Sequence, residues 1–311
     1  MTLLDTSKPV HLIVNPRSGS GVRRGSLTKL RGLLRETEFT VVEHTTTGPD
    51  DATHYAASIA DSAAAVIVWG GDGTINEVAN ALAGTEVPIV IAPAGTENLL
   101  AKELHVSLNV ERLVGSLTSG RTIHCDVGQI DGRMFLLIVG VGFDGEVIRR
   151  LTAARKGHIS YLSYFWPIWR TYLEHNFPQL RVVVDGEEVF NGRGLAFIGN
   201  ISRYAVGLRI CRDARFDDGL LDVVVFTCEE RHGLMWHAAW TLLRLHPLKG
   251  DVVYRQGKSI QIETDRPVAC QADGEVGPST PIDVSVTGEQ IRILVPKPRG
   301  GWDLLPWETS E

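Results

Sequence analysis

Cysteine is scarce in this chain. Its four cysteines, Cys125, Cys211, Cys228 and Cys270, lie far apart in 311 residues and form no CxxC pair or zinc-ligand pattern. A disulfide framework is therefore not expected, and reduced thiols in a cytosolic protein are. Long apolar runs are also missing. The richest segments, Tyr161–Leu173 and Leu234–Leu245, are shorter than the roughly 18–20 residues of a spanning helix and are broken by Arg170 and Arg244. They suit a core or domain interface, with a position on a membrane surface as the alternative. Met1 to Pro9 lacks the basic and apolar regions of a secretory signal. There is no cationic excess either. With 31 Lys and Arg against 37 Asp and Glu, the formal net charge is −6, which argues against a broad nucleic-acid surface. Two nucleotide signatures fail: the GxGxxG spacing from Gly19 breaks at Arg24, and no GxxxxGK[ST] occurs. Hydrophobic and charged contents of 43% and 22% are those of an ordinary globular protein.

The most informative stretch is Val66 to Glu77. A β-branched run leads through Gly70-Gly71-Asp72-Gly73-Thr74 into a segment with apolar residues at Ile75, Val78, Ala79 and Leu82, the spacing of a helix. A strand that turns through glycines into a helix gathers free N–H groups and the positive end of the helix dipole at one point, which suits a phosphate. Glycine is expected there for positive φ and because a Cβ would hold the phosphate off. Asp72 makes sense beside a phosphate if a divalent cation sits between them. A tight capped turn is the alternative.

Strand, polar turn and helix recur over residues 10–104. Val10–Val14 leads to Asn15-Pro16-Arg17-Ser18-Gly19, and Phe39–Glu43 leads to Thr45-Thr46-Thr47-Gly48. Val87–Ile91 leads to Pro93-Ala94-Gly95-Thr96-Glu97-Asn98. This alternation predicts a parallel sheet covered by helices, with the turns at Asn15, Gly70 and Gly95 along its carboxyl edge, where open α/β sheets bind ligands. After a helix at Val110–Leu117 the pattern changes to short strands separated by Asp-Gly turns at 131, 185 and 218, which predicts antiparallel β structure. The expected domains are 1–124, completed by 296–311, and 125–295. The tail with Trp302 and Trp307 is expected to pack back on the body.

With these turns in place the chain resembles the diacylglycerol kinase catalytic-domain family, which includes sphingosine and ceramide kinases and bacterial lipid kinases. The carriers, in the family's order, are NPRSGSG at 15–21, TTTG at 45–48, GGDGTINE at 70–77, PAGTEN at 93–98, VGFDGEV at 141–147, RFDDGLLDV at 215–223 and QADGE at 271–275. The resemblance implies an α/β nucleotide-binding domain, a C-terminal β-sandwich, and ATP and lipid meeting between them. It implies an ATP site on Asn15, Pro16, Arg17, Ser18, Gly19, Thr46, Gly70, Gly71, Asp72, Gly73, Thr74, Ile75, Asn76 and Thr96. By the same likeness Asp273 is the base that takes the proton of the lipid hydroxyl, with Glu275 and Asp72 as further catalytic carboxylates. Read without the resemblance, Asp273-Gly274 is a solvated hairpin turn; if Ala272–Val276 is extended, Asp273 and Glu275 share a face. Asp218, with the main chain of Arg215 and Leu220, matches a structural Mg²⁺ segment, and a turn capped by aspartates is the alternative. A second Mg²⁺ travels with ATP near Asp72. By the same likeness Asp126 joins the water and metal network or reads the lipid head group, with a strand-end cap as the alternative, and Asn98 is expected on the substrate side.

Two features depart from the family. The third turn carries Asn98-Leu99 where many relatives have Asn-Asp, which puts the usual water and metal network in question, and the glycine-rich turn after Gly199-Asn200 is reduced. The expected activity is transfer of the γ-phosphate of ATP to a hydroxyl of diacylglycerol or a related lipid, as part of phospholipid metabolism. The expected place is cytoplasmic and peripheral to a membrane, with no transmembrane segment and no nucleic acid; a homodimer is left open. The competing readings are an NAD kinase-like enzyme for a soluble nucleotide and a nucleotide- or lipid-binding regulator without turnover.

Overall fold

A computed structural model describes residues 4–18, 24–154 and 161–297, apart from the side chains of 161–165 and 206. The chain divides into two compact units, Met1–Cys125 with Glu289–Glu311, and Asp126–Gly288. The second unit ends earlier than the expected 295. The cause is the long strand β15 (Ile282–Val295), whose Ile293 pairs with Ile89 in the first unit.

The first unit is α/β. Strands β1 (Val10–Val14), β2 (Val41–Thr45), β3 (Ala65–Gly70) and β4 (Ile89–Pro93) pair in parallel in the order β2, β1, β3, β4, followed by the end of β15. Every residue of β1, β3 and β4 is buried. Their unbroken apolar runs are what a parallel strand needs when helices cover both faces. Helices α1 (Arg24–Arg35), α2 (Asp51–Ser58), α3 (Asp72–Leu82), α4 (Leu99–Glu103) and α5 (Val110–Ser119) supply that cover. α3 buries Ile75, Val78, Ala79 and Leu82, the face its spacing predicted. Because β1 lies between β2 and β3, the strand order reverses there. The turns after β1 and β3 therefore flank the switch point, where ligands enter open sheets of this kind.

The second unit is a β-sandwich of mainly antiparallel strands. Here lie β5 (Arg121–Ile130, shared with the first unit), β6 (Arg133–Phe135), β7 (Ile138–Val141), β8 (Gln179–Val184), β9 (Glu187–Gly199), β10 (Leu221–Thr227), β11 (Val252–Gly257), β12 (Ser259–Thr264), β13 (Ala269–Ala272) and β14 (Glu275–Ser279). One sheet runs β6, β5, β15, β12, β8 and the first half of β9; the other runs β14, β13, β7, the second half of β9, β10 and β11. Strand β9 passes between them. At its bend a Cβ on Gly194 would fall 2.2 Å from the Phe226 carbonyl oxygen, so only glycine fits. Val139, Val141, Ile198 and Val223 of one sheet pack on Val182, Ile260, Ile262 and Val284 of the other.

Among the described residues three α-helices lie among these strands: α6 (Phe143–Ala154), α7 (Tyr161–Glu174) and α8 (Arg231–Leu242). The sequence pattern marked the second and third only as apolar runs and α6 only as a motif, although Val147, Ile148 and Leu151 form its buried face. The segment 134–141 divides into β6 and β7, while 282–286 and 291–295 join into β15. Ala272–Val276 is not extended. Asp273 and Gly274 have φ of 52° and 80°, which turns the chain into a tight hairpin.

Candidate active site

In the first unit the three predicted turns are tied together by backbone and amide contacts. The Asn15 backbone N–H donates to the Trp69 carbonyl at 2.9 Å, and its side-chain amide donates to Thr74 Oγ1 at 2.8 Å. Asn15 Oδ1 accepts from the Arg17 N–H at 2.9 Å, which closes the turn after β1. The Ala94 N–H donates to the Gly70 carbonyl at 2.7 Å, bringing the turn after β4 against the turn after β3. A Cβ on Gly71 would lie 3.1 Å from the Cα of Gly95.

Gly70, Gly71 and Gly73 are not in the positive-φ region; Gly71 sits at −97° as the N-cap of α3. The expectation of left-handed glycines fails, and close approach is the reason for two of the three. A Cβ on Gly70 would strike Thr74 Cβ at 2.6 Å, and Gly71 faces Gly95. Gly73 has nothing within 4 Å of its Cβ position. It lies in the first turn of α3, whose leading N–H groups have no acceptor within the helix. Uncovered N–H groups at a helix start are the chemistry an anion needs.

Asp72 is half-buried and turned toward α4. It accepts from the Leu100 N–H at 3.4 Å. Burial pushes its carboxyl up to about 6, against the downward pull of the Leu100, Leu99 and Asn98 amides. Asn98, at φ 52°, commits both ends of its side chain to Gly95, accepting from its N–H and donating to its carbonyl, each at 2.8 Å. The expected substrate residue is thus the clasp of the third turn. Thr46 is buried with its hydroxyl toward the Val14 carbonyl at 3.5 Å, and Thr96 is exposed. Asn76 is buried and its Oδ1 has no partner. Pro16 and Arg17 are exposed and Ser18 is half-exposed; Gly19 and the tail with Trp302 and Trp307 lie outside the described residues.

In the second unit Asp273 is more than a hairpin residue. Its Oδ2 accepts from the Leu136 N–H at 2.7 Å, and its Oδ1 accepts from those of Leu137 and Ile138 at 2.9 and 3.0 Å. Three successive amides fix the carboxylate and stabilise its charge. Glu275 does not join it. Glu275 is exposed on β14 and paired with Arg133, because the hairpin turns the two carboxylates to different partners.

Residues that the sequence argument passed over support this platform. Asn200 is fully buried and donates from Nδ2 to the carbonyls of Asp126 and Leu136 at 2.8 and 2.9 Å. Gln271 Oε1 accepts from the Gly274 N–H at 2.8 Å, closing the turn that carries Asp273. Asp144, from VGFDGEV, is buried and accepts from the Tyr204 hydroxyl. Burial pushes its carboxyl up to about 6 against the Tyr204 and Gln271 side chains. An Asn directly after an apolar strand and a Gln inside one were the available signal, and only burial distinguishes them.

Asp126 is buried, and its Oδ2 accepts from the Gly219 N–H at 2.7 Å, inside the RFDDG loop. Asp218 is half-buried and accepts from the Leu220 N–H at 3.1 Å, as a capped turn does. Burial raises its carboxyl above the usual range, and the charges of Asp126 and Asp217 raise it further, against the Leu220 amide and Arg215. Arg215 pairs with Asp217, and Asp126 and Asp218 each accept from a loop amide, so the carboxylates that could help hold a divalent cation are already partly compensated. Among the described residues no group of three or more His, Cys, Asp or Glu side chains is placed to hold a metal ion. Main-chain carbonyls or substrate phosphates would have to complete such a site.

Two family models match the chain. One, the diacylglycerol kinase catalytic domain, covers residues 9–130, and the other, the YegS C-terminal NAD kinase beta sandwich-like domain, covers residues 137–295. A diacylglycerol kinase of Mycobacterium tuberculosis is 29% identical over 296 residues, spanning 93% of this chain and 95% of that protein. One of Staphylococcus carnosus is 26% identical over 299 residues, spanning 93% and 96%. The solved structure of a candidate diacylglycerol kinase from Bacillus anthracis str. Sterne aligns with a TM-score of 0.77 at 26% identity, covering 96% of this chain and 99% of that one.

Proposed function

The chain belongs to the diacylglycerol kinase catalytic-domain family of lipid kinases, and from that premise we propose that it transfers the γ-phosphate of ATP to the hydroxyl of diacylglycerol or a related lipid. The observation that carries the reading is Asp273, a carboxylate held by the amides of Leu136, Leu137 and Ile138. A fixed carboxylate is what this transfer asks of a protein. The lipid oxygen forms its bond to the γ-phosphorus as the bond to the bridging oxygen breaks, and Asp273 takes the hydroxyl proton. Since the carboxylate is already oriented, little conformational freedom is lost at the moment of transfer.

Phosphate binding falls to the first unit. The first-turn N–H groups of α3 face the phosphates, Gly73 leaves room for them, and Asn15 holds Thr74 in register. Mg²⁺ would be held by Asp72 with the phosphates, and structurally by Asp218 with main-chain carbonyls of Arg215 and Leu220; it supplies charge neutralisation of the transferred group. The reading places the protein in the cytoplasm, peripheral to the membrane. Among the described residues no helix is long and apolar enough to cross one.

The test is incubation with γ-labelled ATP and Mg²⁺ over lipid extracts dispersed in detergent. Label in an organic-extractable product is the expected result. Label in NADP would favour a soluble-nucleotide kinase, and saturable ATP binding without turnover on any lipid would make the protein a regulator.

A further inference from the structure

Helix α8 is built inside out. Its buried residues are His237 and Thr241, one turn apart, and His237 Nε2 lies 2.9 Å from the Thr227 carbonyl oxygen. The large apolar side chains point the other way. Met235 is 61% exposed, Trp236 56%, Leu242 67% and Leu243 65%, and the following 3-10 turn, His246–Leu248, adds Leu248 at 74%. A surface helix of a globular domain ordinarily turns its apolar stripe to the core and its polar residues to water. A contiguous reversal of that order marks an interaction surface.

The charges say what covers it. From Arg231 to Lys249 there is no Asp or Glu, in a chain with 37 acids and a net charge of −6. Glu229 and Glu230 stop at the helix start. Arg231 and Arg244 are exposed at the two ends of the apolar face. Lys249 Nζ pairs with Asp251 at 3.2 Å and lies 5.4 and 5.6 Å from the ring centroids of Trp236 and Trp240. Indole rings and cations bordering aliphatic side chains match the boundary between head groups and hydrocarbon. Leucines enter the acyl region, tryptophans sit at its edge, and cations meet lipid phosphates.

We propose that α8 and the turn after it lie on an anionic bilayer and bring the protein to its lipid. The proposal rests on the lipid-kinase reading for its purpose, but docking is measurable without turnover. The full chain is sedimented with vesicles of phosphatidylcholine alone or mixed with phosphatidylglycerol. It binds the mixed vesicles more tightly. Leu242→Gln/Leu243→Gln, both at exposed positions and so with an unchanged melting temperature, binds at least about tenfold more weakly. Arg244→Glu binds about fivefold more weakly and loses salt sensitivity. Phosphorylation of vesicle lipid falls in step with binding, while phosphorylation of the same lipid in detergent micelles stays at the unmodified level. The proposal is overturned if the unmodified chain ignores anionic vesicles, if the variants bind as it does, or if the face proves to join two copies of the chain. Vesicle binding through α8 with no lipid turnover in any form would instead keep the docking surface and remove the kinase reading.

Discussion

Gly71 and Gly95 lie backbone against backbone: a Cβ on Gly95 would fall 2.4 Å from the Cα of Gly71 and 2.9 Å from Asn98 Oδ1. The two turns are held in close contact, and Gly95 has no room for a side chain, while at Gly71 a Cβ would lie a tight 3.1 Å from the Gly95 Cα. The glycine of Gly73 has a different reason, since its Cβ position meets nothing within 4 Å.

Two alanine variants therefore part company. Gly95→Ala overpacks the contact and costs about 1–3 kcal/mol of stability, with loss of ATP binding. Gly73→Ala sits in a helix first turn and leaves the melting temperature unchanged or higher. Its methyl group intrudes only on the ligand, and loss of one charged hydrogen bond raises KM for ATP roughly tenfold to a hundredfold. Thermal melts and ATP titration separate the two. Unchanged KM in Gly73→Ala rules out phosphate at this turn.

Asp273→Asn keeps the shape of the side chain but replaces one acceptor oxygen by an NH₂ group that faces a backbone donor. With three amides on the carboxylate, one donor is left unmatched, at a cost of about 1–3 kcal/mol. The fold is weakened as well as the chemistry, which the hairpin reading of the sequence did not foresee. Lipid phosphorylation falls by roughly 10²-fold or more at temperatures well below the variant's melting point. Activity near the unmodified level there would exclude Asp273 as the proton acceptor.

Asp144 sets a pH dependence of stability. Its folded carboxyl titrates near 6 because it is buried, against 3.8 for an ordinary aspartate. Between those values the folded state holds more protons than the unfolded chain, so unfolding free energy falls as pH rises from about 4 to about 6 and then levels. At about 1.4 kcal/mol per pH unit, the Asp144 contribution lost by neutral pH is at most about 3 kcal/mol. Asp144→Asn removes this titration. Relative to the unmodified protein it gains stability at pH 7 compared with pH 4, measured by urea unfolding at both. An equal difference at the two pH values would refute the assignment.

Much of this was legible in the sequence. Unbroken β-branched runs and glycine turns gave the parallel sheet, since a strand buried on both faces leaves few other choices. The three turns at Asn15, Gly70 and Gly95 were placed on one edge for the same reason. What stayed hidden depends on partners far along the chain. Asn200 and Gln271 look like ordinary polar residues until burial sets them on the Asp126 and Leu136 carbonyls and on the Gly274 amide. Asn98, expected on the substrate side, has both ends of its side chain bonded to Gly95, which only the folded turn reveals. α8 was hard to read because its apolar residues do not mark its buried face.

Leu99 stands where the resemblance leads one to expect an aspartate, and its surroundings give that difference a measurable meaning. Its amide, with those of Leu100 and Asn98, faces the Asp72 carboxylate, which burial already pushes up to about 6. A carboxylate at position 99 would stand in the same turn. Leu99→Asp then places two acids together, raises the Asp72 carboxyl further, and costs about 1 kcal/mol or more without a cation. A divalent ion reverses the sign by neutralising both. The variant should melt below the unmodified protein in chelator and recover most of the difference in millimolar Mg²⁺, while the Mg²⁺ needed for half-maximal turnover falls severalfold. Loss of leucine packing alone would lower the melt equally with and without Mg²⁺. That outcome would show that Asp72 does not face a metal, and that position 99 matters to the core rather than to the phosphates.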